Sequence, residues 1–134
     1  FMVVGGWAVG AYGYPRYTGN NDFDIWIKPT IENAYKVHAA LLAFGVPNKM
    51  ISPVKIFTVP GVVFQIGSVP NRIDILTSID GVNFFNAISR RNLLLINNII
   101  FPVIGKSDLI ANKKSAGRSK DLLDVAFLSG KIII

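Results

Sequence analysis

An α+β fold is predicted by three features of the sequence. Residues Asp22 to Ile27 alternate strictly, with Phe23, Ile25 and Ile27 on one side and Asp22, Asp24 and Trp26 on the other, the period of a strand with one apolar face. Ile31 to Phe44 instead places Ala34, Val37, Leu41 and Phe44 at three- and four-residue spacing, the stripe of an amphipathic helix. Short apolar runs recur on both sides of that helix, at Met2–Val4, Leu93–Ile96 and Ile99–Val103.

In chain order, Met2–Val4 reads as a buried strand that turns at Gly5-Gly6, where glycine permits unusual backbone angles. A short helix over Trp7–Tyr12 follows and ends at Gly13-Tyr14-Pro15, because the residue before a proline is disfavoured in helical conformation. Arg16 to Asn21 is polar and turn-rich, a loop into the strand Asp22–Ile27. Thr30 is placed to cap the long helix and Gly45 to stop it. Ile56–Val59 and Val62–Ile66 surround Pro60-Gly61 as a hairpin would, and Arg72–Thr77 is the next strand. Asp80-Gly81 marks a turn before a short helix over Val82–Ser89 and the two apolar strands. Ser107 and Ser119 stand where N-caps belong, so two helices are expected at about 108–115 and 120–129, divided by Gly117.

The 134 residues, 51% of them hydrophobic, suit one domain spanning 1–134. The absence of cysteine excludes a disulfide framework and thiolate metal sites and fits a reducing compartment, so the cytoplasm is the expected location. The longest apolar runs are broken by Asn97, Asn98 and Pro102 and fall short of the roughly 20 residues that span a bilayer, so no membrane partner is expected. The opening Phe1-Met2-Val3-Val4-Gly5-Gly6 has no secretory character and reads as a start inside a domain, with a helix expected upstream. A formal charge of +6 favours anionic partners, although a basic surface in water gives the same number. With one glutamate, Glu32, against eleven asparagines, that excess carries little weight alone, and an intact mass decides whether every amide is an amide.

Chemistry concentrates in the aspartates. Asp22 and Asp24 project side by side from one strand, where mutual repulsion is costly unless a cation compensates, and magnesium prefers such oxygen ligands. Two solvated strand-end carboxylates are the plain alternative. Asp74 lies between Ile73 and Ile75, where a charge must be paired or metal-bound. A salt contact with Arg72, on the same face, is its simple explanation. If the two strands are neighbours, three carboxylates converge, an arrangement suited to two metal ions that clamp an in-line phosphoryl displacement. Gly5-Gly6 before a helix lets backbone amides approach a phosphate.

The order of these parts, Gly5-Gly6, then Asp22-Phe23-Asp24, then Asp74, resembles the DNA polymerase beta-like nucleotidyltransferase superfamily. The closer resemblance is to small prokaryotic members similar to AbiEii-type toxin nucleotidyltransferases. It is carried by Val3–Val9, Gly13–Thr18, Arg72–Thr77 and the segment Lys114–Asp124, and spans nearly the whole chain. The resemblance implies a mixed β-sheet flanked by helices, the nucleotidyltransferase fold. It implies catalysis by Asp22, Asp24 and Asp74 as ligands of Mg2+, two ions in all, with Asp74 also a candidate base for the acceptor hydroxyl. A nucleoside triphosphate (NTP, including ATP) would be the substrate. RNA or protein would be the acceptor, and an antitoxin or other protein a partner. Gly5 and Gly6, and Arg16 and Thr18 ahead of the acidic strand, are the expected nucleotide-binding residues, joined by Lys113 and Arg118. Against this, Arg16 reads equally as a solvated loop residue, and the cluster around Gly117 as helix-surface salt pairing that includes Lys120 with Asp124. His38 and the aromatic residues read as packing or surface groups, with Trp26 sharing the acidic face. A catalytically inactive module of the same fold, binding nucleic acid or a protein, is the alternative function.

Overall fold

Six strands of the computed structural model, which describes residues 1–14, 22–68 and 70–131, form one mixed sheet. The strands are β1 (Met2–Val4), β2 (Phe23–Trp26), β3 (Val63–Ser68), β4 (Asn71–Leu76), β5 (Asn92–Ile96) and β6 (Ile99–Val103). Their spatial order is β3-β4-β2-β1-β6-β5. β1 runs antiparallel to β2 and parallel to β6, β2 runs parallel to β4, and the outer pairs are antiparallel hairpins. Five α-helices accompany the sheet: α1 (Gly5–Ala11), α2 (Ile31–Phe44), α3 (Phe84–Ala87), α4 (Lys106–Ala116) and α5 (Ser119–Leu128). Among the described residues, no helix is long and apolar enough to cross a membrane.

The parallel pairing of β2 with β4 requires a crossover, and α2 supplies it. Its N-cap Thr30 accepts a hydrogen bond from the Asn33 amide at 3.3 Å, and Gly45 closes it in the left-handed region at φ 111°. Ala34 and Leu41, with Val37 beside them, pack on Ile25, Ile73, Ile75, Phe64 and Ile66, which register places on one sheet face. On the opposite face Trp26 and Leu76 meet Phe84, Ala87 and Leu109, a second core that also takes in Met2, Val4, Ala8 and Val9. Burying each large side chain of these cores contributes about 1.5–3 kcal/mol, so both sheet faces are held firmly.

Five elements differ from expectation. Ile56–Val59 is not a strand; Val54–Thr58 forms a 3-10 helix between Pro53 and Pro60 that buries Phe57 under α2. The hairpin partner of β3 is β4, and the turn lies near Pro70. α1 begins at Gly5, so the glycine pair lies in the first turn of the helix, not before it. α4 and α5 take Gly105 and Arg118 as N-caps in place of Ser107 and Ser119, which sit inside their helices. The expected helix over Val82–Ser89 is shorter: Asn83 caps α3 through bonds from the Phe85 and Asn86 amides (3.0 and 3.3 Å), and a 3-10 turn follows.

Candidate functional site

The parallel register sets Asp24 of β2 directly beside Asp74 of β4, and the antiparallel register sets Val4 of β1 on the other side of Asp24. Paired positions point to the same face of a sheet. Asp24 and Asp74 therefore share one face, with Asp22 and Arg72 two residues earlier on their respective chains. Val4 leads straight into Gly5, at φ +68°, and a Cβ built there would run into Oδ2 of Asp24. Glycine at this position is thus required twice, by its backbone angle and by the carboxylate against it.

Arg72 ties the acids together. Its Nε donates to Asp74 Oδ1 at 2.9 Å and its Nη2 to Asp74 Oδ2 at 3.3 Å, while the same Nη2 reaches Asp22 Oδ2 at 3.4 Å. The salt contact foreseen as the simple explanation of Asp74 is therefore real, yet it does not carry Asp74 away from the other acids. One guanidinium serves two carboxylates and leaves the third without an ion pair among the described residues. Burial pushes the Asp24 carboxyl up to about 6, and the neighbouring Asp74 and Asp22 charges add to the rise, against the lowering influence of Lys113 and Arg72. Asp22 Oδ1 is buried with no hydrogen-bond partner. Among the described residues the cluster has fewer cations and donors than carboxylates, a state that costs free energy inside a fold. Among the described residues, no group of three Asp, Glu, His or Cys side chains has the spacing of a ready-made metal site.

A second charged cluster stands at the α4–α5 corner, where Gly117 turns the chain at φ 68°. Lys113 is buried, with Nζ 3.3 Å from Asp121 Oδ1 and 3.2 Å from Asp124 Oδ2, and both aspartates are fully buried. Arg118 donates to Asp121 through Nε at 2.7 Å and through its backbone N–H at 3.2 Å. Burial alone would raise the Asp121 pKa, but the Arg118 hydrogen bond and the Lys113 charge hold it below the usual carboxylate range. The helix-surface reading of this cluster is corrected for Lys113, Asp121 and Asp124, which lie inside the protein. Both Lys113 and Arg118 interact electrostatically with Asp24, so this corner belongs to the same field.

Of the other residues singled out, Gly6 is exposed beside Gly5 in the first turn of α1, and Arg16 and Thr18 lie outside the described residues. His38 bonds Asn48 Oδ1 at 2.8 Å away from the acids, and Trp26 is buried edge-on to Phe84. An apolar cavity of about 260 Å³, lined by residues including Trp7, Phe23, Ile99 and Phe101, is not bordered by the carboxylates. The buried role of Asp121 and Asp124 was missed, although a signal existed: residues 121, 124 and 128 recur at the spacing of a core-facing stripe, and an acid there needs a buried partner. Neither a comparison with protein-family models nor a search of curated proteins finds a match for this chain.

Proposed function

We propose that the chain is a metal-dependent nucleotidyltransferase that moves a nucleotidyl group from an NTP to a hydroxyl acceptor. The observation that supports it most is the in-register juxtaposition of Asp24 and Asp74, with Asp22 on the same face and Gly5 pressed against Asp24. Three acids gathered on one sheet face around a single arginine are expensive to maintain, and a phosphoryl-transfer site is a use for them. The donor set is all oxygen, the ligand type Mg2+ prefers, and Asp22, Asp24 and Asp74 would hold it after drawing closer than they stand here. When bound, such ions neutralise phosphate charge and align the displacement. Arg72 fixes Asp74 and Asp22 in orientation. Gly5 and Gly6 open α1 beside Asp24, where backbone amides would meet a phosphate, and Arg118, exposed at the α4–α5 corner, would meet its charge, with Lys113 and its two aspartates holding that corner rigid. Transfer onto RNA or protein, within a toxin-antitoxin pair in the cytoplasm, is the biological setting that goes with this chemistry.

Labelled triphosphate should be transferred to an acceptor in a magnesium-dependent way, and Asp24→Asn should abolish transfer. Equal activity of that variant removes the mechanism. One observation favours a second reading, a catalytically silent module that binds nucleic acid or a protein partner: Arg72 already compensates Asp74 and Asp22 without a metal. Under that reading magnesium leaves thermal stability unchanged, and partner binding measured by calorimetry is the same for Asp24→Asn.

A further inference from the structure

The β5–β6 hairpin is the least protected part of the sheet. Residues 92–101 contain no charged side chain. Leu93, Leu95, Ile99 and Ile100 are 63%, 68%, 57% and 65% exposed. β5 ends the strand order, and no described strand pairs with its outer side. The opposite edge, β3, is protected differently, by Gln65 and Ser68 and by Gly67 at φ +81°. Edge strands that carry neither charge, proline nor bulge are templates for pairing.

The phase of the hairpin shows which backbone groups are free. Asn97 and Asn98, at φ 50° and 64°, make a two-residue turn, so the closing pair Ile96–Ile99 is hydrogen-bonded. Alternation then makes Leu94–Phe101 hydrogen-bonded, and Leu93–Pro102 and Leu95–Ile100 not. Pro102, which has no N–H to give to β5, falls where this phase asks for none. The N–H and C=O groups of Leu93 and Leu95 consequently point outward, and these same residues carry exposed side chains. Leu94 between them packs toward the core, and Asn92 Nδ2 bonds Tyr12 Oη at 2.8 Å, so β5 is held in place on its inner side.

We propose that β5 pairs antiparallel with β5 of a second copy, joining two sheets across a two-fold axis at Leu94. In that register Leu93 of each copy lies opposite Leu95 of the other, and the two pairs exchange about four main-chain hydrogen bonds. Leu93 and Leu95 of both copies then stack on one face, flanked by Ile100. The hairpin is self-complementary, as an isologous contact requires. Leu93, Leu95 and Ile100 share one face and Ile99 lies on the other, so the seam buries well under about 1,000 Å² and makes a weak dimer held chiefly by its main-chain bonds. Charge permits the approach although each chain carries +6. The nearest cation in sequence, Arg91, ends about 20 Å from its counterpart, beyond the ~10 Å Debye length at moderate salt.

Sedimentation of the 134-residue chain up to about 200 µM should show the 14.7 kDa species doubling in mass. Leu95→Lys should weaken association by about 10-fold with its circular dichroism unchanged, because it places two like charges diagonally across the seam and removes the apolar contact with Leu93. Phe44→Lys, at an exposed apolar site on α2, should leave the dimer intact. Register is tested separately, since the chain has no cysteine. A mixture of Leu93→Cys and Leu95→Cys chains should form an interchain disulfide under mild oxidation, as paired Cα atoms lie about 5.5 Å apart. Each variant alone should cross-link far less. A wild type monomeric throughout, association unaffected by Leu95→Lys, or equal cross-linking of either variant alone would overturn the proposal.

Discussion

Replacing Asp24 by asparagine should make the protein more stable at neutral pH. The carboxyl titrates at about 6 in the fold against 3.8 as a free side chain, chiefly because burial disfavours its charge and Asp74 and Asp22 repel it. A rise of that size corresponds to about 3 kcal/mol of cost to the ionised native state. Since Asp24 is partly open to solvent, screening reduces the figure to about 2 kcal/mol. The sign follows from proton counting. Between pH 3.8 and about 6 the native state keeps a proton that the unfolded chain has lost, so wild-type stability falls as pH rises through this window and the deficit is complete above it. Asparagine does not titrate. The advantage of Asp24→Asn should therefore be near zero at about pH 4 and reach about 2 kcal/mol, or about 6 °C in Tm, at pH 7.5. Urea denaturation of both proteins at several pH values measures it, and effects of other groups largely cancel in the difference. Magnesium should narrow the gap by stabilising the wild type alone. An Asn variant no more stable at pH 7.5, or a gap independent of pH, would refute the account of a carboxylate cluster short of positive charge.

Gly5→Ala should lower stability by at least about 2 kcal/mol, from the positive φ and the collision with Asp24, visible as a drop in Tm. Arg72→Met removes the cation shared by Asp22 and Asp74. It should lower stability at pH 7.5 by leaving both carboxylates without their donor, and a drop in Tm against the wild type tests this. Lys113→Met strips the buried ammonium from Asp121 and Asp124 and should cost about 3–5 kcal/mol in chemical denaturation, whereas the exposed neighbour Lys114→Met should change stability by less than about 0.5 kcal/mol.

What could be read from the sequence follows how local each signal was. The α2 helix was legible to within its caps, because Thr30 and Gly45 act on their own neighbours. The alternation of Asp22–Ile27 likewise predicted which side chains share a face. Ile56–Val59 misled because a short apolar run serves a strand or a buried turn equally well, and here the flanking prolines and the space beneath α2 decided. Ser107 and Ser119 misled for a related reason: a serine at a helix start is a good cap only if the chain does not already turn helical one residue earlier. The convergence of Asp24 with Asp74 depended on strand order, a non-local property that neither strand carries in its own residues. Asp121 and Asp124 were hidden by their chemistry. Acids on a helix suggest solvent, and only the buried Lys113, reached across the Gly117 turn, reverses that inference.

The crossover between β2 and β4 has a consequence for how the acidic face comes into being. Asp22 and Arg72 are fifty residues apart, so they meet only when β4 has docked beside β2. A nascent or clipped polypeptide that stops short of β4 carries two acids on a strand with no neighbour on that side, and nothing to oppose them. The acid–guanidinium contact thus arrives with completion of the sheet, and limited proteolysis in the segment carrying α2 would loosen β4 and that contact together.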